Sequence, residues 1–123
     1  MEPWHECILI VGMDANFCYL MQRYVRMSNR LFQVAYQFEE ALAHTQQYKP
    51  VVILVEIGLP DTLGWNTLRA LKKDSDTSGI PVVACSWQDE EQLCIRDGAD
   101  VYLHMPILYE HFLNALTLVG VKI

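Results

Sequence analysis

Val51-Val52-Ile53-Leu54-Val55-Glu56-Ile57-Gly58-Leu59-Pro60-Asp61-Thr62-Leu63-Gly64 sets five apolar residues directly before one acid and then a loop. An apolar, β-branched run of this length reads as a strand buried on both faces, the condition of a central strand in a parallel sheet. Ligands of open α/β sheets sit outside the carboxyl ends of the strands, so Glu56 points toward a site and not into the core. The plain alternative is a solvated acid that ends a strand.

Upstream of this strand, Lys49-Pro50 stops a short helix over 39–48 with Ala41, Leu42 and Thr45 facing inward. Residues 31–36 alternate, placing Phe32, Val34 and Tyr36 on one side of a more exposed strand. The first buried strand is 7–11, CILIV, and it runs into Gly12-Met13-Asp14. Asp14 is placed to cap a helix whose stripe is Phe17, Leu20, Met21, Tyr24 and then Met27 or Ser28, closed at Ser28-Asn29.

Downstream, 58–64 is loop, 65–73 is a helix with Leu68 and Leu71 inward, and 74–79 is a polar turn. Residues 80–85, IPVVAC, form a fourth strand whose early proline suits a strand start, followed by Ser86-Trp87. A helix over 88–97 stops at Gly98. A short strand over 101–103 leads into His104-Met105-Pro106, and Leu108, Phe112, Ala115, Leu116 and Val119 mark the inner face of a last helix. Strands and helices alternating in this way predict one doubly wound α/β domain over 1–123, with helices on both faces of a parallel sheet. Four strand ends then converge, bringing Gly12, Met13 and Asp14 together with Glu56, with Ser86 and Trp87, and with His104 and Met105.

At 123 residues, 52% hydrophobic and 20% charged, the chain has room for one core and carries no apolar run long enough to cross a bilayer. Its first residues, MEPWHEC, bear acids where a secretion signal has basic residues, so a cytoplasmic, reducing setting is expected. Cys7, Cys18, Cys85 and Cys94 show no close pairing and read as buried thiols, not as disulfides or a zinc site. The net charge of −6 and nine scattered Lys and Arg argue against direct nucleic-acid binding.

The chain resembles the receiver domains of bacterial two-component response regulators along nearly its whole length. The resemblance rests on ILIV and its turn, on VVILVEIGLPDTLG, on IPVVACS and on GADVYLHMP. It implies the flavodoxin-like strand order 2-1-3-4-5. It also implies phosphoryl transfer from a histidine kinase to an aspartate, helped by Mg²⁺, a lysine and a hydroxyl that neutralise charge on the phosphoryl oxygens. Here the metal-binding acids match Gly12 and Met13, the acceptor matches Glu56 and the lysine matches Met105. The hydroxyl, Ser86, and the aromatic switch, Tyr102, remain, and Asp14 matches a position that is often acidic without being the main metal ligand. Trp87 stands where the family has a small residue, and it either covers the pocket or projects as a contact residue. Met105 follows Ser86 by 19 positions, a shorter interval than the family's, so the fourth helix or the loop before it is cut back.

These departures predict no useful Mg²⁺ affinity, no cofactor and no catalysis. The expected function is a phosphorylation-independent signalling module, working through a face of the fourth helix, fifth strand and fifth helix centred on Tyr102. Its expected partners are other signalling proteins or output domains, among them a histidine kinase or response regulator, or a second copy of the chain, with neither nucleic acid nor membrane. The alternatives are a phosphoacceptor receiver using Glu56, Asp61 or Asp14, and a ligand sensor using the vacated acidic pocket. Glu56 as a mimic of a phosphorylated acceptor, a transition-metal site of His104, Asp14 and Glu56, a flavin site on the first loop and a reactive Cys85 are weaker readings of the same residues. His5, His44 and His111 read as surface residues, and Trp65 as packing for the loop before it.

Overall fold

The computed structural model describes residues 6–58 and 62–122. Asp61 and His5 therefore lie outside the described residues. Five parallel strands, β1 (Ile8–Val11), β2 (Phe32–Ala35), β3 (Val52–Glu56), β4 (Val82–Ser86) and β5 (Val101–His104), lie in the order β2-β1-β3-β4-β5. The helices are α1 (Ala15–Met27), α2 (Phe38–Tyr48), α3 (Leu63–Lys73), α4 (Glu91–Arg96) and α5 (Tyr109–Leu118).

Alternation along the strands divides the core in two. Ile8, Ile10, Val52, Leu54, Val83 and Cys85 face α1 and α5, where Phe17, Met21, Phe112 and Leu116 close the layer. Leu9, Val11, Ile53, Val55, Val82 and Ala84 face the other way, against Ala41 of α2, Leu63, Leu68 and Leu71 of α3, and Cys94 of α4. The run at 51–55 is apolar throughout because both of its faces are covered. The sheet order reverses between β1 and β3, which register as Val11 opposite Val55, so Gly12 and Glu56 emerge side by side at the topological switch point.

Several boundaries differ from the sequence reading. The first turn of α3 includes Leu63 and Gly64, which were expected in loop. A Cβ on Gly64 would stand 2.0 Å from the Glu56 carbonyl oxygen, so the glycine lets the helix start directly on the end of β3. Helix α4 is only Glu91–Arg96, because the amides of Gln88 and Glu90 bond to Ser86 and Tyr102 side chains before the helix begins. Leu108 is the extended N-cap of α5 and is 52% exposed, so it does not join the inner face assigned to it. Tyr36 and Met27 are exposed, whereas Ala35, Cys18 and Val25 are buried in their neighbourhood. Gly98, at φ +110°, ends α4 with its neighbour's amide bonded back from Ala99 to Cys94 O at 2.9 Å.

Candidate functional site

The carboxylate of Glu56 lies over the β1–α1 loop. Its Oε1 accepts from the backbone amides of Met13 and Asp14, at 3.1 Å each. Two consecutive amides opening a helix form an anion-binding concavity, and here the chain supplies the anion itself. Space was made for it at Gly12, where a Cβ would come within 3.0 Å of Glu56 Oε1, 3.2 Å of Glu56 Cβ and 2.9 Å of Phe17 Cδ2. Asp14 is engaged next door: its Oδ2 caps α1 by accepting from Phe17 N at 2.8 Å. Met13 points outward, 59% exposed.

Magnesium does not fit this set. The ion takes hard oxygen donors in near-octahedral geometry. Gly12 offers no side chain, Met13 offers a thioether, and the Asp14 and Glu56 oxygens just named already accept helix and loop amides. Among the described residues, no three His, Cys, Asp or Glu side chains converge in a way that could hold a metal ion. His104 is exposed at the end of β5 while the next residue, Met105, is buried, so the imidazole does not join Asp14 and Glu56.

Ser86 ends β4, fully buried. Its hydroxyl donates to Glu90 Oε2 at 3.1 Å and accepts from Gln88 N at 3.0 Å. Tyr102 is half-buried on the α4 side of the sheet, and its hydroxyl donates to Gln88 O and accepts from Glu90 N. The ring packs, partly buried, on the core layer of α4 and not on that of α5. Glu90 was not singled out from the sequence. Its signal was its place four residues after Ser86, close enough for a turn to bring acid and hydroxyl together.

A chiefly apolar pocket of about 90 Å³ lies between α1 and the β5–α5 loop, walled by Asp14, Phe17, Leu20, Trp87, Met105 and Pro106. Trp87 both lines this pocket and remains 63% exposed. Trp65 packs on the second core layer with the Arg69 guanidinium over its ring. His44 is half-buried, edge-on to Tyr48, and His111 Nδ1 accepts from Leu108 N.

All four cysteines are buried and free. Burial, reinforced by the negative charges of Glu56 and Asp14, pushes the Cys18 thiol up to about 11. Burial with Glu90 and Asp97 puts Cys94 at about 11. Cys85 is driven higher still by complete burial and then by Glu56, so it is no nucleophile. Because Cys18 and Cys94 keep their protons in the fold and release them when unfolded, their contribution to stability is whole below pH 9.0 and disappears as pH rises through about 11. Native protein at neutral pH should resist iodoacetamide until urea is added, and urea midpoints should fall from pH 9 upward. Prompt alkylation of native protein would contradict this.

The sequence pattern of the response regulator receiver domain matches residues 8–117. The chain is 35% identical over 83 residues to PilH of Pseudomonas aeruginosa, covering 65% of this chain and 69% of that protein. It is 29% identical over 80 residues to the polar-differentiation response regulator DivK of Brucella anthropi, covering 63% and 65%. Among solved structures, the Vibrio cholerae chemotaxis protein CheY4 superposes with a TM-score of 0.82 at 20% identity, covering 93% and 98% of the two chains. A two-component response regulator from Clostridium difficile gives 0.79 at 24% identity, covering 93% and 94%. At such identities the structural likeness speaks to the fold.

Proposed function

We propose, starting from the fact that the chain belongs to the response regulator receiver domain family, that it is a non-enzymatic signalling module working by protein contact without phosphorylation. One observation carries this reading: the Glu56 carboxylate, at the acceptor position, accepts the Met13 and Asp14 amides where the family would have metal-holding acids. Phosphoryl transfer of this kind depends on cations that neutralise charge in flight, and losing a single such stabilising group costs about 3 kcal/mol of barrier. Gly12, Met13 and Met105 remove several at once.

The module would act in the bacterial cytoplasm on other signalling proteins: a sensor kinase, a response regulator, an output domain or a second copy of itself. Trp87 and, on α4, Leu93 and Ile95 offer exposed apolar area for such contact. The net charge of −6 disfavours nucleic acid, and among the described residues no helix is long and apolar enough to cross a membrane.

Incubation with acetyl phosphate and millimolar Mg²⁺ tests the reading. The intact mass and the self-association of the protein should both stay unchanged. A stoichiometric gain of one phosphoryl group on any acid, Asp61 included, would establish the phosphoacceptor alternative.

A further inference from the structure

We infer that Glu90 is the resident ligand of the Ser86 hydroxyl, so that an acid of the chain itself, and not a transferred group, holds the β4–α4 loop and the Tyr102 ring in one arrangement. This deepens the phosphorylation-independent reading and rests on it, adding the residue that does the holding.

A fully buried hydroxyl needs partners, and Ser86 uses both of its capacities on this loop, donating to Glu90 Oε2 and accepting from Gln88 N. A hydroxyl bonded to a carboxylate is charge-assisted and stronger than a neutral pair. The remaining groups of the loop close on Tyr102: Gln88 O accepts its hydroxyl, and Glu90 N is shared between Gln88 O at 3.0 Å and the Tyr102 oxygen at 3.3 Å. Three elements are joined this way, since Ser86 ends β4, Tyr102 lies on β5 and Glu90 is the N-cap of α4. Glu90 makes no side-chain bond to the amides of its own helix. Its carboxylate turns back to the sheet and so fixes where the six-residue α4 begins. The position of α4 in turn sets how Leu93 and Ile95 are presented to solvent.

Amide exchange in the purified protein, with neither partner nor phosphodonor, tests this. Glu90→Ala should lower protection at the Gln88 amide about tenfold, corresponding to about 1.4 kcal/mol of easier local opening. Ser86→Ala should do the same, and the double variant should lose no more than either single one. Glu90→Gln, which keeps an acceptor oxygen, should fall between Glu90→Ala and the parent. Glu91→Ala removes the same charge one residue on and should leave Gln88 protected. If Glu90→Ala, shown folded by circular dichroism, exchanges no faster than Glu91→Ala, or if the Ser86 and Glu90 effects simply add, the inference is overturned. Phosphoryl gain from acetyl phosphate would instead overturn the reading of the acceptor site, and the two failures are separately visible.

Discussion

Gly64→Ala should destabilise the domain by at least about 3 kcal/mol, the upper end of what overpacking costs. The added Cβ would stand 2.0 Å from the Glu56 carbonyl oxygen, and 2.9 Å from both the Glu56 carbonyl carbon and Ile57 Cδ1. Two of these three atoms are strand backbone and cannot rotate away. The first turn of α3 would have to lift off β3, drawing Leu63 and Leu68 out of the core layer they share with Val55 and Ile57. Alanine is the better helix former by up to about 1 kcal/mol, which offsets only part of the clash. A domain of this size has about 5–15 kcal/mol in all, so a large fraction of its stability should go. Urea denaturation measures it, with Gly79→Ala as the control because a Cβ there meets nothing within 4 Å. Equal midpoints for the two variants would show that α3 does not rest on β3 in this way.

The same contact shows what a linear reading loses. Gly64 was legible as a loop residue by type, but the closeness of its Cα to a carbonyl eight positions earlier depends on how α3 docks. The sheet itself was legible, because a strand buried on both faces is apolar throughout, and 7–11, 51–55 and 80–85 all show it. Helix stripes were less secure. Leu108 fits the period of α5 yet precedes the helix, and Val25 and Cys18 were buried without being on the expected stripe of α1. Side chains that reach across loops left no periodic trace at all. Lys72 bonds Ser78 O, Ile80 O and Asp100 Oδ2, tying α3 to the turn before β4 and to the start of β5, and nothing in its spacing announced it.

The candidate site divides along the same line. Set against the family's pattern, the residue types at the strand ends raise the expectation that cation-holding groups are lacking, since glycine and two methionines cannot hold a hard cation or neutralise a phosphoryl group. They did not tell what replaced those groups. Glu56 turning onto the first loop, and Glu90 turning back to Ser86, are choices among rotamers that only the packed structure resolves. The setting of Asp14 was hidden for a related reason. Asp14 counts as an acid in the sequence, but in the fold its carboxylate caps α1, and the cavity beside it takes its character from Phe17, Leu20, Trp87 and Met105.

Gly12→Asp should cost about 2–3 kcal/mol in the parent protein and distinctly less when Glu56 is replaced by Ala. In the parent, the new Cβ meets Glu56 Oε1 at 3.0 Å and Phe17 Cδ2 at 2.9 Å, and the new carboxylate comes beside an existing one. Glu56→Ala alone should cost about 1 kcal/mol, because it releases the Met13 and Asp14 amides, which are exposed enough for water to replace the acid. With Glu56 truncated, the Oε1 contact and the like charge vanish, leaving the Phe17 contact and the 3.2 Å approach to the retained Cβ of residue 56. The double variant should therefore be more stable than the sum of the singles by about 1–2 kcal/mol, within the range for residues in direct contact. Additivity to within about 0.3 kcal/mol would mean that Gly12 and Glu56 are independent, and that the missing acid has no link to the acceptor's replacement. Magnesium supplies a second readout, since an ion stabilises only a fold that binds it. Millimolar Mg²⁺ should leave the melting midpoint of the parent unchanged and raise it in a chain carrying Gly12→Asp, Met13→Asp and Glu56→Asp together. A rise in the parent that Glu56→Gln abolishes would reveal a surviving metal site, and would turn the amide-bonded carboxylate from the occupant of the site into one of its ligands.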